Sequence, residues 1–292
     1  NHQSLIATKA SRIVRAARGR AVMEFGSRRA QGADAAILGA RAAYIAGCSG
    51  TACTISDQLY GVPALGTMAH SWVQMFDSEY DAFRTYCESY PANAVLLVDT
   101  YNTLKSGVPN AIKAFNEVLR PKGITKCAIR LDSGDIAYLT REARQMLDEA
   151  GWESCKITCS NSLDEYIIQD LLLQGACIDS FGVGERLITA KSEPVFGGVY
   201  KLVAVERESG EIVPKIKVSE NVSKITIPHF KKFYRFYDRT NGKALADYLC
   251  LYDETPDDTQ PLTIFHPENT WKRKTLTNFR AENMMVPVFR AG

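Results

Sequence analysis

The stretch KCAIRLDSGDIAYLTREARQML, Lys126 to Leu147, decides the fold. Its apolar opening, KCAI, reads as a buried strand, and IAYLTREARQML carries apolar residues at helical spacing. Between them one turn holds Arg130, Asp132, Ser133, Gly134 and Asp135. Crowding two carboxylates beside a guanidinium is costly unless something is bound there.

The same order repeats outward from this point. AVLLVDTYNT (94–103) leads into AIKAFNEVL, KITCSNS (156–162) into LDEYIIQDLLLQG, and CIDSFGVGERLI (177–188) ends the series. Upstream, AYIAGCSGT closes an alanine-rich helical stretch. VPALGTMAH (62–70) reads as a strand and SWVQMFDSEYDAFRTYCESY (71–90) as one amphipathic helix, with Ser71 as its N-cap. Strand starts near 64, 94, 126, 156 and 177 recur at mostly βα spacing, which predicts an α/β fold: parallel strands closed into a barrel, helices outside. The polar and glycine-rich clusters all follow strands, on the face where such barrels keep their active sites.

After about residue 200 the pattern changes. GVYKLVAVERESGEIVPKIKV (198–218) reads as two strands around Ser209-Gly210, and KKFYRFYDRTNGKALADYLCLYDE (231–254) as a hairpin with Asn241-Gly242 at its tip. The expected division is a barrel domain over 1–205 and a smaller β-rich region over 206–292.

Composition narrows the function classes. The 292 residues are 46% hydrophobic and 23% charged, with a net charge of +2, which gives no sign of nucleic-acid or membrane-surface binding. No apolar run approaches the roughly 20 residues of a spanning helix. The opening NHQSLIATKASRIVRAARGR lacks the apolar core of a signal peptide, and its arginines read as a surface stripe. The eight cysteines lack zinc-ligand spacing and read as reduced, mostly buried thiols of a cytoplasmic protein.

The post-strand clusters supply His70 (GTMAH), Asp99 (LVDTYNT), Arg130 and Asp132 (RLDSGD), and the Gly182–Glu185 turn of FGVGERL; Phe25, Arg28 and Arg29 come from EFGSRRA. Each has a plain alternative. His70 could be a hydrogen-bonded structural residue, Asp99 a helix cap, the glycines a tight turn and the arginines a solvated face. Convergence at one barrel mouth favours chemistry. Arginines and turn amides suit phosphate oxygens, carboxylates suit ribose hydroxyls or Mg²⁺, and a histidine can move a proton or take a phosphoryl group. The residues thus point to phosphorylated, sugar-bearing substrates.

The ordered motifs EFGSRRA, GTMAHSWV, LLVDTYNT, RLDSGD, SNSLDEY and FGVGERL resemble those of the nicotinate phosphoribosyltransferases over about residues 8–205. The resemblance implies an irregular parallel α/β barrel of the type II phosphoribosyltransferase kind, in a homodimer. It implies condensation of nicotinate with 5-phosphoribosyl-1-pyrophosphate to the mononucleotide and pyrophosphate, in NAD biosynthesis, with Mg²⁺ and with ATP as cosubstrate. By the same resemblance His70 is the histidine that is phosphorylated, with Asp99 behind it. Phe25 and Arg28 hold the pyridine and its carboxylate, while Arg130 and Asp132 lie near the pyrophosphate and ribose. Ser160, Asn161 and the turn Gly182, Val183, Gly184 and Glu185 bind the ribose 5-phosphate, and Thr51 of GCSGTAC belongs to the substrate site. Ala52 stands where nicotinamide-using relatives carry an aspartate, which favours nicotinate. Glu185 beside a phosphate loop needs an offset, expected from Arg186 or solvent. Relatives also possess an N-terminal domain that this stretch lacks, so the residues read as a piece of a longer or split protein. The alternatives are a nicotinamide- or quinolinate-using relative, and a non-catalytic nucleotide-binding subunit.

Overall fold

The computed structural model describes residues 1–221, 224–288 and 290. Contacts divide the chain into Asn1–Gly198 and Val199–Gly292.

The first unit is built on six parallel strands: β1 (Ala21–Glu24), β2 (Gly50–Thr51), β3 (Val95–Leu97), β4 (Ala128–Leu131), β5 (Lys156–Cys159) and β6 (Ser180–Val183). They lie in the order β2-β1-β6-β5-β4-β3. Their short runs are apolar along most of their length, as expected where helices cover a parallel sheet. Around them run α1 (His2–Ala16), α2 (Ala33–Ile45), α3 (Thr54–Tyr60), α4 (His70–Gln74), α5 (Glu79–Ser89), α6 (Val108–Ala114), α7 (Ile136–Glu149), α8 (Glu165–Leu173) and α9 (Glu185–Ile188). Phe83, Phe115, Phe181, Leu96, Ile129 and Leu131 are fully buried in one core. Short polar caps set where helices begin: Asp135 accepts from the Tyr138 amide of α7, and Asp164 from the Tyr166 and Ile167 amides of α8.

The barrel is irregular where the expected strand VPALGTMAH lies. That segment forms a single parallel bridge, Ala64 to Thr51 on the β2 edge, and no strand of its own. Pro63 has no amide to give a ladder. The segment instead reaches the other edge through side chains: Thr67 accepts from Arg130 of β4, and His70 meets Thr100 just past β3. Ser71 is not the N-cap. Helix α4 begins at His70, with Ala69 at the cap position and no side-chain cap bond. The expected single helix over 71–90 is two, because Ser78 starts a second helix by accepting from the Asp81 amide. Two strands were hidden from periodicity, AVME and the two-residue GT, because neither is long enough to show a pattern.

Beneath α8 lies an ionic cluster. Lys9 of α1 meets Glu165 at 2.7 Å with both side chains buried, and Arg186 of α9 pairs with Asp164. Two ions taken out of water are tolerated only as a pair.

Among its described residues the second unit holds four antiparallel pairings. β7 (Ala204–Glu206) pairs with β8 (Ile212–Pro214), β9 (Lys231–Asp238) with β10 (Ala244–Leu251), and β11 (Leu262–Phe265) with β12 (Arg273–Leu276), while β13 (Phe279–Asn283) joins β9. Gly242, at φ +70°, supplies the left-handed residue the β9–β10 turn needs. Tyr234, Phe236, Cys250, Leu276 and Phe279 form its own small core.

Substituting Lys9→Met strands Glu165 as a buried unpaired carboxylate and is expected to cost about 3–5 kcal/mol. Lys9→Met with Glu165→Met should recover most of that. Urea unfolding of the three proteins, followed by tryptophan fluorescence of the first unit, measures both values.

Candidate active site

Every strand of the barrel ends at one mouth, and the residues singled out in the sequence gather there. A cavity of about 540 Å³ is lined by Phe25, Arg28, Ala52, Thr67, His70, Arg130 and Asp132, among others. A smaller one of about 150 Å³ is lined by Phe25, Arg28, Arg29, Arg130, Asp132, Ser160, Asn161, Gly182, Gly184 and Glu185. The two share Phe25, Arg28, Arg130 and Asp132 as a common wall.

Arg130 is the hub of that wall. It leaves the buried strand β4 with its side chain only 15% exposed, and each arm of the guanidinium is held. Nε donates to Ser160 at 2.8 Å, one terminal nitrogen to Thr67 at 2.7 Å and the other to Asp132 at 3.2 Å. Its Cζ lies 5.5 Å from the Phe25 ring centroid, a cation–π distance. Ser160 also donates to Asp132. Arg28, by contrast, is exposed and has no hydrogen bond or ion pair among the described residues.

Asp99 sits 2% exposed behind the histidine. One oxygen accepts from the Asp132 amide at 2.8 Å and from Ser133 at 2.6 Å. The other, Oδ1, is buried with no hydrogen bond, 3.9 Å from His70 Nε2. Asp132 Oδ2 lies 3.7 Å from the same nitrogen, and His70 Nδ1 is 3.1 Å from the Thr100 hydroxyl. The imidazole is thus held on one side by a hydroxyl and faced on the other by two carboxylates. Asp99 is therefore no helix cap. Among the described residues no group of three or more His, Cys, Asp or Glu side chains is arranged to hold a metal ion by protein ligands alone.

The phosphate-side loops depend on backbone form. Asn161 and Ser162 follow β5 with φ of +89° and +49°, an uncommon conformation for side-chain-bearing residues. Gly182 is required by packing: a Cβ there would meet the Phe25 ring at 2.5 Å. Gly184 is nearly as confined: a Cβ there would meet the Phe25 carbonyl oxygen at 3.0 Å. Val183 is buried, and its carbonyl accepts from the Phe25 amide at 2.8 Å. The expected offset for Glu185 is not Arg186, which turns to Asp164. Arg29 at 3.9 Å and Lys191 at 3.4 Å take that place.

Thr51 is wholly buried rather than on the cavity surface. It donates to Glu24 at 2.6 Å and accepts from the Cys53 amide at 2.9 Å. Glu24 was not singled out in the sequence, although a glutamate directly after the apolar AVM of a strand was the available signal. Fully buried, it accepts from the Gly26 amide and from Thr51, and so fixes the turn carrying Phe25 and Arg28 against the wall carrying Ala52. Burial pushes its carboxyl above the usual range, and the bonds from Thr51 and Gly26 pull partly against that. Thr67 and Ser133 were also missed, since isolated hydroxyls carry no pattern. The cysteines are free thiols, and burial pushes Cys48 and Cys87 up to about 12.

Residues 230–292 match the family described as nicotinate phosphoribosyltransferase C-terminal domain. Over 292 residues, all of this chain, the sequence is 47% identical to a nicotinate phosphoribosyltransferase of Bacillus subtilis, covering 59% of that protein. It is 33% identical over 347 aligned residues to nicotinate phosphoribosyltransferase 2 of Arabidopsis thaliana, covering 61% of it. In structure it is similar to human nicotinic acid phosphoribosyltransferase, with a TM-score of 0.73, 25% identity, and coverage of 97% of this chain and 63% of that one. It is also similar to the nicotinate-nucleotide pyrophosphorylase of Pyrococcus furiosus, with a TM-score of 0.61, 26% identity, and coverage of 97% and 64%. The chain thus spans about three-fifths of the length of these two curated relatives.

The buried Glu24 generates a pH prediction. A carboxyl whose folded pKa is raised contributes stability below its unfolded pKa, and that contribution is lost as pH rises through the folded value. The stability difference between the wild type and Glu24→Gln should therefore move in favour of the glutamine variant as pH rises from about 4 to 7. Urea midpoints measured across that range check it; a difference independent of pH would contradict the assignment.

Proposed function

We propose that this chain belongs to the nicotinate phosphoribosyltransferase family and carries the catalytic barrel of an enzyme joining nicotinate to 5-phosphoribosyl-1-pyrophosphate. The observation that carries the proposal is the pair of cavities with the shared Phe25–Arg28–Arg130–Asp132 wall. The larger takes the pyridine, with Phe25 against its ring and the unpaired Arg28 on its carboxylate. The smaller takes the 5-phosphate, lined by Asn161, Gly182 and Gly184. The ribose then lies along the shared wall.

In the reaction the nicotinate ring nitrogen bonds to the anomeric carbon as the bond to pyrophosphate breaks. The departing oxygen keeps the electron pair. Holding the two reactants in adjoining cavities supplies the orientation. Arg130, already fixed by Ser160, Thr67 and Asp132, meets the charge developing on pyrophosphate without having to reorganise. Asp132 favours the cationic sugar. The orphaned Asp99 Oδ1 and the Asp132 carboxylate fit Mg²⁺, which binds through one or two carboxylates plus substrate phosphates. That ion would supply neutralisation of the leaving pyrophosphate. His70 accepts the γ-phosphoryl of ATP on a ring nitrogen, ADP departs, and water later takes the phosphoryl group. The carboxylates of Asp99 and Asp132 face Nε2 of the imidazole ring.

Nicotinate is preferred to nicotinamide because Ala52, on the wall of the larger cavity, brings no carboxylate to repel the acid. The family resemblance extends the proposal to a cytoplasmic homodimer in NAD biosynthesis; light scattering in solution checks the assembly. No helix among the described residues is long and apolar enough to cross a membrane. The fraction of its relatives that this chain spans favours a second reading, a binding portion that needs the remainder of the protein for turnover.

Incubation with nicotinate, phosphoribosyl pyrophosphate, ATP and Mg²⁺ should yield nicotinate mononucleotide, and Arg130→Ala should lower kcat/KM about 10²-fold or more. Ligand binding without product would support the second reading. If a chain extended to its relatives' full length, with His70 intact, also makes no product, the enzyme reading falls. Ala52→Asp should raise KM for nicotinate by about 10-fold through charge repulsion; unchanged nicotinate kinetics would remove the specificity argument.

A further inference from the structure

The smaller cavity holds a carboxylate where the proposed reaction needs room for an anion. Three guanidiniums, those of Arg28, Arg29 and Arg130, line it together with two carboxylates, Asp132 and Glu185. Asp132 is bound up with Arg130 and Ser160. Glu185 is held more loosely, with its side chain 48% exposed. Its Oε2 is 3.9 Å from Arg29 Nε and its Oε1 3.4 Å from Lys191 Nζ. Arg186, the adjacent cation, is turned away to Asp164. The side chain of Glu185 therefore faces Arg29, a cation of the cavity wall, and Lys191 beside it, both of which an incoming phosphate could recruit.

Exposed ion pairs at such distances contribute little and are readily exchanged. A phosphate dianion, with more charge and more acceptor oxygens, outcompetes one carboxylate for the same donors. Until Glu185 swings away, however, its charge opposes entry. Removing that charge leaves the three arginines and Lys191 in place and the cavity more positive.

We infer that the Glu185 carboxylate is an anionic placeholder at the phosphate end of the site. It keeps Arg29 and Lys191 occupied while the site is empty and competes with phosphorylated ligands for them, weakening their affinity. The inference rests on the assignment of this cavity to the 5-phosphate.

Calorimetric titration of the whole chain with ribose 5-phosphate, for wild type and Glu185→Gln, tests it. The glutamine variant should bind about three- to ten-fold more tightly at about 0.05 M salt, with the gap closing towards about 0.5 M as the charges are screened. Arg29→Gln combined with Glu185→Gln should lose most of that gain. If the wild type binds and Glu185→Gln binds equally or more weakly, the placeholder role is wrong and Glu185 merely orders Arg29 and Lys191. If neither protein binds ribose 5-phosphate, the assignment of the cavity fails as well.

Discussion

The site depends on where one guanidinium goes. Arg130 emerges from β4 and is fastened to Ser160 after β5, to Thr67 on the α3–α4 connection, and to Asp132 in its own turn, with its Cζ 5.5 Å from the centroid of the Phe25 ring after β1. A guanidinium offers five N–H donors in a rigid fork. Spending them on neighbours from separate strands makes the fork a brace across the mouth. It also closes the barrel where no ladder does, since the Ala64–His70 segment is joined to the β3–β4 side by side-chain contacts from Arg130 and Thr100.

Around that brace, packing leaves little freedom. Gly182 has no room for a Cβ because Phe25 fills it, and Phe25 is held in turn by the hydrogen bond its N–H donates to the Val183 carbonyl and by the Glu24 anchor of its turn. The aromatic face, the arginine and the phosphate-side turn are therefore positioned by one another. Electrostatics follow the same division. Lys9 with Glu165 and Arg186 with Asp164 are paired with one another, whereas Arg28 on the cavity wall and Asp99 Oδ1, buried behind His70, retain unused bonding capacity. Unused capacity at a barrel mouth is what a charged substrate would take up.

How much of this was legible beforehand differs by element. The βα units from β3 to β6 were readable because apolar strand, polar turn and amphipathic helix follow one another within each. The β9–β10 hairpin was readable from Asn241-Gly242. Strands AVME and GT were not, being too short for any period. The VPALGTMAH segment misled because an apolar run looks the same whether its amides enter a ladder or its side chains bridge two edges. Asp99 and Asp132 could be named because charge immediately after a buried strand is unusual, Arg130 because it stands at the end of an apolar strand, and His70 because it ends an apolar run that resembles one. Glu24, Thr67 and Ser133 could not, since their roles exist only through partners distant in the chain.

The sequence by itself determined the alternation of strands and helices, the end of each strand at which polar residues collect, and the chemical kinds gathered there. Those follow from local propensity, burial periodicity and turn chemistry, which act over a few neighbouring residues. Tertiary structure alone decided that Arg186 serves Asp164 while Glu185 faces Arg29 and Lys191, that Thr51 is buried beneath Glu24, and that the barrel closes through hydroxyls. The physical reason is range: a salt bridge or hydrogen bond is settled within about 4 Å in space, and nothing in the order of residues along the chain fixes which side chains come that close.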